Sequence, residues 1–447
     1  SKIQVFDFDN DGDLDVFVGG YVQPLAFPNA NPSRLYENQN GKLARVQVDK
    51  FENIGIVTDV KAVDLDKDGF LDIITAGEWQ PIRVFMNNAG KYGQAQEISP
   101  KGLWQSLAVV DIENDGQLEI LGGNFGNNSQ LKAEKNKPMQ LFVGDFDGNQ
   151  RPDLLLSSYI GDISYPFFSR DELGDQLPMT KKLYNTYKDY STVTTKQLLK
   201  DLKGDVNTTL EVNSLSSMVF RFNSGSWTGE DLPFEFQMAP IYAFALKDMD
   251  NDGRVDVITG GNNYRTRVRL GNLDANHGQL FLNKKEGFRY VSNQESGLNF
   301  LGDVRSMTWV NNSLLVGANG GYLQIYKQLK MQQLQFIQFI PESVSEADVG
   351  DILALQVEAF KEANPNDPVP PEALLRQNLD MLSNHPLYNV KYYLVKNSEH
   401  KPVARLMMLF GKPDTEDYEA QKHICLLDVT VASEYRRQGI GSEILRF

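Results

Sequence analysis

A chain of 447 residues has room for about two to four domains. Its 41% hydrophobic and 23% charged residues are the balance of a folded chain rather than a disordered one, and a formal net charge of −15 speaks against nucleic acid as a partner. The single cysteine, Cys425, excludes an intrachain disulfide and a cysteine-based zinc site, and no apolar run approaches the ~18 residues of a membrane span.

The chain opens at Ser1 inside a strand-like segment, without Met, and closes at Phe447 inside a helix-like one, so a fragment cut at both ends is expected. A pattern D-x-D-x-D-G-x-x-D, followed by a short apolar strand, begins at Asp7 and returns at Asp64, Asp111, Asp145 and Asp248. Side-chain oxygens at positions 1, 3, 5 and 9, with a carbonyl at position 7, can surround one hard cation, and glycine at position 6 permits the sharp turn. The ligand sets are Asp7, Asp9, Asp11 and Asp15; Asp64, Asp66, Asp68 and Asp72; Asp111, Glu113, Asp115 and Glu119; Asp145, Asp147, Asn149 and Asp153; and Asp248, Asp250, Asp252 and Asp256. The fourth set ranks weakest, because Gln150 stands where glycine is expected.

So many carboxylates in nine residues repel one another unless a cation neutralises them, and oxygen-only ligands favour Ca2+ over zinc or copper. The alternative is an acidic turn with no metal. An EF-hand is excluded, because position 12 is Val18, Thr75, Gly122, Leu156 or Thr259 rather than glutamate, and strand-like segments flank each loop. Further strands follow, as in Leu35-Tyr36-Glu37-Asn38 before Asn40-Gly41, Val84-Phe85-Met86-Asn87 before Ala89-Gly90, and Leu280-Phe281-Leu282-Asn283 before Gly287.

About four strands per repeat resembles the FG-GAP/VCBS repeat family, the integrin-α-like calcium-binding β-propellers, over residues 1–330. Within it, the chain is similar to bacterial propellers related to cartilage acidic protein. The resemblance implies a mainly β fold of four-stranded blades with Ca2+ in inter-strand loops. It also implies a place in the periplasm, at the cell surface or secreted, a protein or glycan ligand on the loops, and no catalysis. Capping signatures at Ser169–Glu172 and Thr194–Gln197 predict helices near 170–176, 180–190 and 195–203, inside a helical insertion at about 162–212. A last blade near 301–328 has Val310-Asn311-Asn312 in place of an acidic loop, so no ion is expected there. The loops Glu78-Trp79-Gln80 and Gly261-Asn262-Asn263-Tyr264 could form a ligand face, but packing turns are the favoured reading.

From residue 331 the acidic loops vanish. Ser345 can cap a helix carrying Val349, Ile352, Leu353 and Phe360, and strands follow at 392–395, 404–409 and 424–431. The last runs into Tyr435-Arg436-Arg437-Gln438-Gly439-Ile440-Gly441-Ser442, and a strand, R-x-x-G-x-G and a helix N-terminus make a pyrophosphate cradle. This arrangement resembles the front part of a GNAT-family N-acetyltransferase, a truncated α/β domain at 331–447. The resemblance implies that acetyl-CoA lies along Val429 and Val431, with its pyrophosphate on Arg436, Arg437, Gln438, Gly439, Ile440, Gly441 and Ser442. The family's remaining strand and helix would lie beyond Phe447, so the segment is expected to be inactive, and His385, His400 and His423 receive no catalytic role. An exported propeller beside a cytoplasmic acyltransferase predicts a composite or fragmentary chain. The alternative function is an amine acetyltransferase to which the propeller is an accessory or an artefactual fusion.

Overall fold

The computed structural model describes residues 2–202, 204–327, 335–340, 344–383, 388–397, 399–411, 425–436, 440 and 444. The chain forms two compact units, Ser1–Lys327 and Gln328–Phe447.

The first unit is built from antiparallel sheets. The first sheet runs in chain order through Lys2–Phe6, Asp15–Gly19, Arg34–Gln39 and Lys42–Val46. In the second, Asp72–Gln80 pairs with Ile56–Val63, Arg83–Phe85 and Gly102–Leu103. The third joins Ser106–Val110 and Glu119–Gly123 to Met218–Asn223 and Ser226–Asp231. The fifth comprises Ile241–Lys247, Asp256–Gly261, Gln279–Lys284 and Gly287–Val291. The sixth comprises Asp303–Val310, Ser313–Asn319 and Gln324–Lys327. Their leading strands lie side by side in the order first, second, third, fifth, sixth.

The fourth repeat departs from this series. Its sheet, ordered Ile163–Pro166, Asp153–Ile160, Met139–Gly144, Val206–Val212, lies wholly between the second and third strands of the third sheet. Residues 124–217 therefore form one excursion, longer than the helical insertion expected at 162–212. Its helices Arg170–Gln176 and Thr195–Leu202 pack Leu173, Leu198 and Leu202 on Phe146 and Leu155. Ser169 and Glu172 make the expected capping box. The helix expected at 180–190 is two short ones, Thr180–Leu183 and Tyr187–Tyr190, because Thr186 and Asp189 form a second capping box that restarts the chain.

Apolar side chains fill the spaces between neighbouring sheets. Phe51 meets Phe17 and Phe85 edge-on, each at 5.1 Å, and joins the first sheet to the second. Trp104 and Phe220 do the same between the second and third sheets, and Phe236 stacks on Phe281 between the third and fifth. Each of these seven side chains is fully buried or nearly so, worth roughly 1.5–3 kcal/mol of transfer free energy apiece.

In the second unit, Glu346–Ala363 and Glu372–Ser383 are helices, and the strands Gln335–Gln338, Tyr388–Lys396, Pro402–Gly411 and Cys425–Val431 form one antiparallel sheet. Ser345 caps the first helix by accepting from the Asp348 N–H, and Val349, Ile352 and Leu353 are buried.

Candidate metal-binding loops

All five acidic loops close their hairpins in one register. The residue before position 1 pairs with position 9, as Phe6 with Asp15, Val63 with Asp72, Val110 with Glu119, Gly144 with Asp153 and Lys247 with Asp256. The position-1 aspartate accepts the position-6 N–H in every loop, at 2.7–3.0 Å. The position-5 side chain accepts the N–H two residues on, at 2.8–3.0 Å.

Positions 4 and 6 both take positive φ, a conformation that glycine adopts without a Cβ penalty. Position 6 is Gly12, Gly69, Gly116 and Gly253 in four loops. In the fourth loop the glycine has moved to position 4, as Gly148 at 77°, and Gln150 takes position 6 at 65°. The departure noted in the sequence thus shifts the glycine by two residues and keeps the turn.

The position-9 carboxylate is a buried anchor. Asp15 accepts from Phe8 N at 3.0 Å and Asn38 N at 2.8 Å. Asp72 accepts from Leu65 N and Asn87 N, and Asp256 from Met249 N and Asn283 N, within 2.7–2.9 Å. All three are fully buried. Burial pushes the Asp72 carboxyl up to about 6, against the lowering effect of the two N–H groups; the Asp66 and Asp68 charges add to the rise.

Four loops bring carboxylate oxygens within 4.8 Å of one another: Asp7, Asp9 and Asp15; Asp64, Asp66 and Asp72; Asp145, Asp147 and Asp153; and Asp248, Asp250 and Asp256. Asp9 and Asp11 also meet Glu37, which sequence reasoning missed. Asp68 and Asp252 lie outside these groups, and they and Asn149 each hold a turn N–H group. Among the described residues, Asp111, Glu113, Asp115 and Glu119 form no such group, and Glu113 is turned to Arg221 at 2.8 Å.

The donor set fits a hard cation. It is all oxygen, and in the first loop Asp9 Oδ1 and Asp13 Oδ1 are buried with no hydrogen-bond partner. Burial first, and then the Asp11 and Asp15 charges, raise the Asp9 and Asp13 carboxyls above the usual range.

Successive loops are also tied together. Asn10, at position 4, donates to the Gly69 carbonyl at position 6 of the next loop, 2.8 Å away, and Lys67 donates likewise to Gly116 at 2.7 Å. Asn87 and Asn283 reach back to the position-2 carbonyls of Phe8 and Ile112. These asparagines were visible as the recurring final residue of Leu-Tyr-Glu-Asn, Val-Phe-Met-Asn and Leu-Phe-Leu-Asn.

At the loops considered for ligand binding, Gln80 donates to the Ile56 carbonyl and Asn262 pairs with Asn276, which is turn packing. In the second unit, Val429 and Val431 pair with Leu406 and Ala404. Arg436 is held by Glu362 through two bonds of 2.6 Å and by the Val431 carbonyl at 3.0 Å, so its guanidinium is already engaged. Ile440 is buried, while Arg437, Gln438, Gly439, Gly441 and Ser442 lie outside the described residues, as do His385 and His423.

The family model for the FG-GAP-like repeat matches residues 7–75 and 64–122. The chain therefore carries FG-GAP-like repeats over its first three acidic loops. No curated protein matches it. Among solved structures it is similar to the Vibrio cholerae (V. cholerae) biofilm matrix protein Bap1, at 10% identity and TM-score 0.28, over 74% of this chain and 69% of that one. It is also similar to BBS1N in complex with ARL6DN, at 10% identity and TM-score 0.27, over 74% and 92% of the two chains.

Proposed function

We propose that residues 1–327 are a calcium-stiffened β-propeller that serves as a binding scaffold outside the cytoplasm. The observation that carries this reading is the repeated carboxylate cage, with the partnerless Asp9 oxygen inside it. The lateral order of the leading strands and the FG-GAP-like repeat match support it. Asp9, Asp66, Asp147 and Asp250 would contribute ligand oxygens at position 3, while Asp15, Asp72, Asp153 and Asp256 anchor the cages from below. Bound Ca2+ supplies charge that lets these carboxylates ionise together, and the linked loops then stiffen one end of the assembly. Exposed oxygen cages of this kind suit the millimolar calcium found outside cells.

The ligand, a protein or glycan, belongs on the opposite end of the sheets. The connections from second to third strands leave there, and they expose Tyr264, Val268 and Tyr322. The second unit carries no part of this reading, since the family match lies wholly in the first and Arg436 is committed to Glu362.

Calorimetric titration with Ca2+, paired with melting in Ca2+ and in chelator, tests the reading. Several bound ions and a higher melting temperature are expected, both reduced in Asp9→Asn and Asp66→Asn. Identical melting in Ca2+ and chelator would overturn it.

A further inference from the structure

The acidic loops are alike in backbone and unlike in the charge that the third strand of each sheet brings to them. In the first sheet Glu37 adds a carboxylate to Asp9 and Asp11. The same register position, one before the anchoring asparagine, is the neutral Met86 in the second sheet; the third sheet, where Phe222 replaces that asparagine, has Arg221. Arg221 bonds Glu113 at 2.8 Å. In the fifth sheet the residue just after Asn283 is Lys284, whose Nζ bonds Asp252 Oδ2 at 2.7 Å and also bonds Asp250 Oδ2. A strand residue thus places a positive charge against two carboxylates of a loop that otherwise has the full pattern.

We infer that Lys284 is a built-in cation that takes the place of the divalent ion in the fifth loop, so that divalent binding is concentrated in the first, second and fourth loops. The inference rests on the calcium reading and refines it from four equivalent cages to two kinds. The ammonium group is tethered and therefore present at high effective concentration, whereas a free ion must be captured from solution. It satisfies Asp250 and Asp252 while leaving one carboxylate charge fewer for a metal to bind. Arg221 has the corresponding part in the third loop, where the oxygens are not gathered around a common point. Glu37 acts in the opposite direction and makes the first loop the strongest divalent site.

The test compares Ca2+ stoichiometry in wild type, Lys284→Met and Lys284→Gln, by calorimetry and by native mass spectrometry on the full chain. Both variants are expected to bind about one more ion than wild type, and Glu37→Gln to weaken the tightest site about tenfold with the ion count unchanged. The lysine is roughly one-third exposed, so both variants should fold; their melting in chelator checks this. Ca2+ binding by wild type with no added ion in folded Lys284→Met and Lys284→Gln overturns the role of Lys284 and leaves the calcium reading standing. Absence of Ca2+ binding in all of these proteins overturns the calcium reading and this inference with it.

Discussion

The side-chain amide of Asn87 donates to the carbonyl oxygen of Phe8 at 2.7 Å, joining the short hairpin that follows the third strand of one sheet to the acidic loop of the sheet before it. Asn283 does the same to Ile112, also at 2.7 Å. In both cases the asparagine's own N–H is spent on the position-9 aspartate of its own sheet. One residue thus couples two neighbouring loops. Asn87→Ala leaves a buried carbonyl without its donor and is expected to cost about 1–3 kcal/mol in chemical denaturation. Asn283→Ala should behave alike, and an unchanged midpoint in both would refute the coupling.

The Asp72 carboxyl, pushed up to about 6 by burial, sets a pH dependence whose sign follows from proton linkage. Unfolded, the group titrates near 3.9, so between these values the folded chain binds the extra proton. The stability it contributes without metal is fully present below about 4 and is lost as pH rises through about 6. Ca2+ requires the ionised form, so the gain in melting temperature from Ca2+ should grow across the same window. Melting curves at pH 4.5–7.5, in chelator and in Ca2+, check both slopes. Asp72→Asn should flatten them in part, since burial also raises Glu119, Asp153 and Asp256.

Gln150 holds φ at 65°, where a side chain costs roughly 1–2 kcal/mol relative to the right-handed helical region. Gln150→Gly is therefore expected to stabilise the fourth loop by about 0.5–1 kcal/mol. At Gly12, φ is 94° and an added Cβ would meet nothing within 4 Å, so Gly12→Ala should destabilise through backbone strain alone. Opposite signs for the two substitutions in urea denaturation are the expected result.

Phe51 is the shared partner of Phe17, Phe85 and Tyr92. Truncation to alanine opens a cavity between the first and second sheets and should cost about 3–5 kcal/mol. A loss below about 1 kcal/mol, read by equilibrium denaturation, would show that the two sheets are held by other contacts.

Much of this was written in short segments. The acidic pattern fixes each loop because its bonds run within nine residues: position 1 to position 6, and position 5 to position 7. The β-strand pairs and the Ser169 capping box are equally local, and so were legible. The fourth repeat looked like a blade in the series because its loop and hairpin have the same local code. Strand pairing between Glu119–Gly123 and Met218–Asn223 makes it an excursion, and that pairing spans residues too far apart for any period to reveal. Likewise, Asp248 to Asp256 read as a site equal to Asp7 to Asp15. Only the third strands, folded back beside the loops, bring Glu37 to one and Lys284 to the other. The sequence by itself determined which oxygens each loop carries; the tertiary structure decided which charges face them, because electrostatic neighbours are set by strand pairing rather than by position along the chain.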